Sequence, residues 1–213
     1  MKKYDFVKND TRSWEGRTTR RIIAIQDFDD VKEGDLGGYI ESELNLSQED
    51  TCWVYNSAKV YGRAKVYDNA KVRGNAVVYD NAEVYGRAKV AGIAKVYGRA
   101  KVAGIAKVYD DAEVYGSAEV HDDAEIYGGA EVYGGAEVYG RAKVYGRAEV
   151  YGRAKVAGIA KVYDNAEVYG GAEVYGRAKV YGDAKVYGGA VCGAAEICGD
   201  GEVHGDVIIS SGD

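Results

Sequence analysis

The chain holds only two histidines, His121 and His204, and histidine is the side chain best suited to general-base chemistry near neutral pH. His121 stands in Val120-His121-Asp122-Asp123, at a position where most neighbouring repeats carry tyrosine, so it reads first as a drifted repeat. A base also needs a group that orients it and a pocket that excludes water, and a flat strand offers neither. Cys52, Cys192 and Cys198 have no metal-ligand spacing, and no metal site is expected. No Ser-His-Asp arrangement, phosphate-cradling loop or Gly-Gly-x-Gly-x-Asp calcium repeat is present. Tyrosine is abundant: 20, against two Phe and two Trp, and 18 of them alternate with lysine or glutamate in one stretch. Those residue types offer stacking and charge complementarity, which is binding chemistry.

The stretch that positions them runs from Val54 to Ala190, where Val-Tyr-Gly-x-Ala-Lys/Glu recurs 23 times. The aliphatic residue falls on every sixth position to Val186, with Ile126 the single exception, and an alanine always follows four residues later. Ala-Lys-Val-Tyr alternates small, charged, apolar and aromatic, as a strand with Ala and Val inward and Lys/Glu and Tyr outward. Gly-Arg, Gly-Gly and Asp-Asn then interrupt, pairs that tolerate positive φ. Each hexad therefore reads as a four-residue strand and a two-residue corner. Such strands must stack on copies of themselves, each buried Val contributing ~1.5–3 kcal/mol. The absence of proline agrees, because proline removes a ladder hydrogen bond.

This pattern resembles the hexapeptide-repeat, left-handed parallel β-helix proteins, in which three hexads make one triangular coil. The glycine departs slightly, standing two residues after the aliphatic position where that family has it one after. The left hand is implied by the resemblance. A residue then stacks on the one 18 later, and Val54 to Ile209 makes between eight and nine coils, ~40 Å tall at the usual strand spacing. The opening carries a narrower resemblance. Ile25-Gln26-Asp27-Phe28-Asp29-Asp30-Val31-Lys32, Gly37-Gly38-Tyr39-Ile40 and the segment from Leu46 to Tyr55 look like the start of the YdcK-type bacterial and prophage proteins. That similarity implies a shared cap and column.

Sorting outward residues by this period separates three faces. The first has an unbroken column, Tyr61, Tyr79, Tyr97, Tyr115, Tyr133, Tyr151, Tyr169 and Tyr187, with Glu113, Glu131, Glu149 and Glu167 beside it. The second has Lys71, Lys89, Lys107, Lys143, Lys161 and Lys179 in a row broken only by Glu125. The third mixes signs, and Ala103, His121 and Ala157 interrupt its tyrosines. Three hexads replace Tyr and Arg together, at Ala91 with Ile93, Ala103 with Ile105 and Ala157 with Ile159, and their flanking identity points to duplication. After Ala190 one residue is lost, and the frame resumes with Val191, Ile197, Val203 and Ile209, so that His204 follows the first tyrosine column.

Residues 1–50 do not follow the hexad. Tyr4-Asp5-Phe6-Val7 and Arg21 to Ile25 read as strands of a hairpin turning at Asn9-Asp10, and the module reads as a cap. No C-terminal cap is apparent after Ile209, so the last strand is expected to be open. No signal peptide and no long apolar run is present, and the odd cysteine count fits a reducing compartment, so a cytoplasmic location without membrane contact is expected. A net charge of −6 gives no support to nucleic-acid binding.

The expected fold is an all-β triangular β-solenoid, with a cap over residues 1–50 and the β-helix over 51–213. The expected function is a non-catalytic structural or interaction protein, without a cofactor, whose tyrosine and charged faces bind partners or further copies. Self-association would be a side-by-side trimer, as the resemblance implies, pairing a lysine-rich with a glutamate-rich face, or end-to-end contact through the C-terminus. One alternative, implied by the resemblance, is a divergent acyltransferase using coenzyme A, with His121 as its base. Another is a glycan-binding tyrosine ladder.

Overall fold

The computed structural model describes residues 2–211 and is a triangular β-solenoid built from three parallel sheets. The expected hexad register holds throughout. Lys89 pairs with Lys71 and Lys107, and Glu131 with Glu113 and Glu149, each 18 residues away. Val and Ala from all three sheets point inward and form one continuous buried column. Most strands of the array are two residues long, typically Lys/Glu-Val, rather than four. Tyr and Ala belong to the corners instead: Ala82 N–H donates to Tyr79 C=O at 3.3 Å, closing a β-turn across Gly-x or Asp-Asn. The tyrosine N–H still donates to the next coil, as from Tyr79 to Val96 C=O at 3.0 Å.

Corner chemistry follows from the left-handed conformation at the third-from-last turn residue. Asp68, Asp110, Asp122 and Asp164 adopt positive φ there, and their carboxylates accept the N–H of Gly86, Gly128, Gly140 and Gly182 one coil on, at 3.0 to 3.4 Å. Aspartate thus recovers a hydrogen bond in exchange for strain that glycine avoids. Alanine recovers nothing. Gly104, at φ 65°, would place a Cβ 2.7 Å from Asp122 N, whereas Gly171 has open space and an ordinary φ. Gly104→Ala is expected to cost ~1–2 kcal/mol or more. Gly171→Ala is expected to be neutral or to stabilise by up to ~1 kcal/mol. Urea midpoints of the two variants check this.

The first sheet is extended by the N-terminal module. β1 (Tyr4–Trp14) and β2 (Arg17–Ala24) are antiparallel, β2 pairs antiparallel with β3 (Leu36–Ile40), and β3 runs parallel to Lys59–Val60. Tyr39-Ile40 is therefore already a rung, and the first sheet has ten parallel rungs counting from β3. The hairpin turns at Glu15-Gly16, with φ of 49° and 76°, and not at Asn9-Asp10 as expected. Asn9, at φ 64°, marks an irregularity where the register shifts between Phe6 and Thr11. Glycine takes the second left-handed position more easily than Asp10, and the β-prone Thr11 to Trp14 continues the strand beyond it.

Trp53 plugs the start of the second sheet. It is 1% exposed and meets Phe28 and Tyr4 edge-on at 5.3 and 6.1 Å. Lys3 is buried beside it, its ammonium donating to Glu49 C=O at 2.8 Å and lying 3.2 Å from Cys52 Sγ. Burial pushes the Lys3 pKa down. At the other end, Gly188 and Gly189 take consecutive positive φ and absorb the lost residue, so that Glu173 pairs with Ala190. Gly212 and Asp213, part of the closing stretch, lie outside the described residues. Among the described residues, no helix is long and apolar enough to cross a membrane.

Candidate functional site

Parallel, in-register pairing forces identical side chains into columns one strand spacing apart. Along the first face the rings of Tyr79, Tyr97, Tyr115, Tyr133 and Tyr151 stack at 4.8 to 4.9 Å and within 9° of parallel. Tyr61 and Tyr169 extend the ladder at 5.3 and 4.9 Å. Tyr187 tilts by 29°, and His204 meets it edge-on at 6.4 Å, so the column ends there. The cause is local: the register slip precedes His204, whose Nε2 lies 2.9 Å from Glu202.

The stacked glutamates are tied to this ladder. Tyr97, Tyr115, Tyr133 and Tyr151 donate their hydroxyls to Glu113, Glu131, Glu149 and Glu167 at 3.0, 2.8, 2.8 and 3.1 Å. Each bond climbs one coil diagonally, from a tyrosine to the glutamate 16 residues later. The carboxylates are therefore held by charge-assisted bonds rather than splayed into solvent. Burial first, and the glutamate bond second, push the Tyr97, Tyr115 and Tyr133 phenols well above their ordinary range, and Tyr151 up to about 12. Lys95 and Lys185 pair with Glu113 and Glu167 at 2.7 and 3.0 Å, leaving Glu131 and Glu149 as the central carboxylates without an ammonium partner among the described residues. Tyr61 donates to Glu15 from the hairpin turn at 3.0 Å.

On the second face much of the lysine row is neutralised within the chain. Lys71 sits 2.7 Å from both Asp29 and Asp30, and Asp30 also holds Arg73 at 2.9 Å. Lys107 and Lys143 share Glu125 at 2.7 and 2.6 Å, which lowers its pKa, and Lys179 takes Glu196 at 2.6 Å. Lys89 and Lys161 have no carboxylate partner among the described residues.

His121 does contact an orienting neighbour, with Nδ1 3.4 Å from Asp122 Oδ1. Its ring nevertheless stacks on Tyr139 at 5.2 Å, on the open third face. Asp122 is itself engaged by Gly140 N–H, which leads the causes that lower its pKa. Cys192 and Cys198 belong to different sheets, and all three cysteines are free. The tyrosine-to-glutamate bonds and the Asp29-Asp30 clamp were missed by sorting residues into columns. A diagonal offset of 16, two short of the coil, was the available signal for the first.

No protein-family model matches the chain. A stretch of 48 residues is 48% identical to a protein of Escherichia coli (strain K12) described as the uncharacterized acetyltransferase YdcK. The match covers 22% of this chain and 15% of that protein's length. That similarity and the three-sheet solenoid agree with the hexapeptide-repeat β-helix expected from the sequence.

Proposed function

We propose that this chain is a non-catalytic interaction protein, and that the first face is its binding surface. The observation that carries the reading is the ladder of stacked rings locked diagonally to four glutamates. Holding those side chains before contact lowers the entropic cost of binding. The central carboxylates of Glu131 and Glu149, held by tyrosine hydroxyls but without a cationic partner among the described residues, favour a cationic, ring-accepting partner surface. Self-association through a lysine-bearing face is one form of this. Lys89 and Lys161 are the lysines of that row left to meet a neighbouring copy. A cytoplasmic setting is supported by the three free thiols.

Light scattering at low and high salt tests the self-associating form. An oligomer that dissociates with salt, and that Glu131→Lys with Glu149→Lys abolishes, is the expected result. A monomer at low salt overturns self-association and moves the search to other partners.

The second reading is a coenzyme A-dependent acyltransferase with His121 as its base, and its support is that the Escherichia coli protein matched over 48 residues is described as an uncharacterized acetyltransferase. Thermal stability with acetyl-coenzyme A separates the two. Ligand at 100 times its dissociation constant adds ~2.7 kcal/mol to the folded state. The interaction reading expects no shift, and an upward shift that His121→Asn leaves in place would still overturn it.

A further inference from the structure

The third face carries a feature that the first lacks. Its column reads Tyr67, Tyr85, Ala103, His121, Tyr139, Ala157, Tyr175 and then Cys192, so two single rungs of alanine interrupt the rings. Tyr67 stacks on Tyr85 at 4.9 Å and His121 on Tyr139 at 5.2 Å. Across each alanine the flanking rings stand two rungs apart, so the ladder's own spacing leaves the place of one ring between them. Ala103 and Ala157 form the floors, each 8% exposed. A cavity of about 260 Å³ opens over Ala157, lined by Tyr139, Tyr175, Lys155 and Glu173.

The constellation occurs twice. Lys101, Ala103, Ile105 and Glu119 recur three coils later as Lys155, Ala157, Ile159 and Glu173. Ile105 and Ile159 stand at the adjoining corners, 42% and 43% exposed, as an apolar lip. Lys101 reaches Glu119 at 2.9 Å, while Lys155 turns to Glu137 at 3.7 Å and leaves Glu173 without an ion pair among the described residues. The third alanine of this type, Ala91, lacks a second ring. Tyr109 is on one side, and on the other is Arg73, which lies over Tyr55 at 4.1 Å.

We propose that Ala103 and Ala157 are the floors of two ligand sites, each taking one planar phenolic ring between its two wall rings. Both faces of such a ring would be stacked as in the uninterrupted ladder. Lysine and glutamate at the rim donate to and accept from the phenol hydroxyl. A saturated sugar or cyclohexane ring is thicker than the space that one tyrosine ring leaves. The proposal stands apart from the first face and from any partner bound there.

The probe is 4-methylphenol, which is the missing tyrosine side chain, with 4-methylcyclohexanol as the saturated control. Saturation-transfer NMR and equilibrium dialysis of the full chain measure binding. Two sites per chain are expected, with the saturated ring binding at least about tenfold more weakly, through loss of the aromatic pair on each face. Ala157→Tyr and Ala103→Tyr each complete the ladder and should each remove one site, and the double variant both. Tyr175→Ala, which removes a wall, should abolish the Ala157 site alone and keeps the test available if a filled variant misfolds. Absence of saturable binding, equal binding of the saturated ring, or binding that survives the double variant overturns the proposal.

Discussion

Val132→Asp unfolds the middle of the solenoid, whereas Glu131→Ala, one residue away, costs only ~1 kcal/mol or somewhat more and leaves the fold intact. Val132 is 0% exposed and stacks between Val114 and Val150 in the inward column. The substitution forfeits ~1.5–3 kcal/mol of burial. It also leaves a carboxylate unpaired among Val and Ala, a penalty of several kcal/mol more. Against a typical total of ~5–15 kcal/mol that is enough to abolish cooperative folding. Repeats touch only their neighbours, so the coils around residue 132 should lose amide protection first. Glu131 points outward, and its removal deletes one bond from Tyr115, worth ~1 kcal/mol or somewhat more for a charged acceptor. Urea unfolding followed by circular dichroism, with hydrogen exchange by segment, checks both variants. Equal midpoints for the pair would contradict the alternation on which the fold depends.

The second large effect is a collapse of stability at alkaline pH. Tyrosine ordinarily ionises at 10.0, but Tyr79 and Tyr151 are pushed up to about 12, and Tyr97, Tyr115 and Tyr133 further. Burial is the largest cause throughout, followed by nearby carboxylates. Below pH 10 the phenols are protonated in both states and their contribution is complete. Between 10 and about 12 the unfolded chain releases protons that the ladder still holds, so stability falls as pH rises, and it is lost through the folded pKa. Because several rings titrate in the same window, the fall should be steep. Tyrosinate absorbance should rise late in the folded protein and coincide with the loss of circular dichroism. Glu131→Gln keeps an acceptor for Tyr115 but removes its charge, and should bring that phenol part of the way down. A native titration centred at the ordinary tyrosine value would refute this account.

Much of this was legible in the chain. A strict period of six with Val and Ala at fixed offsets determines which side chains face inward, because strand residues alternate and any slip would expose the core. The period of 18, supplied by the resemblance, then placed Tyr61 to Tyr187 in one column and Lys71 to Lys179 in another. The boundary of the hairpin was not legible, because Asn9-Asp10 and Glu15-Gly16 are both competent turns. Their choice depends on how far β1 can pair with β2. The partners of the charged columns were not legible either. Parallel register sets Glu131 between Glu113 and Glu149, which on charge alone predicts splaying, yet the hydroxyl of Tyr115 reaches it diagonally.

The sequence by itself thus determined the stacked short strands and their inward column, since those follow from local alternation and exact repetition, and the membership of each face followed once the resemblance supplied three hexads per coil. Only the tertiary structure decided which charges remain free. It alone brought Asp29 and Asp30 of the N-terminal module onto Lys71, neutralising one end of a row that reads as uniformly basic. It alone made the alanines of the third face into gaps between rings. Both depend on distances across coils and between the module and the column, which a periodic pattern orders but does not measure.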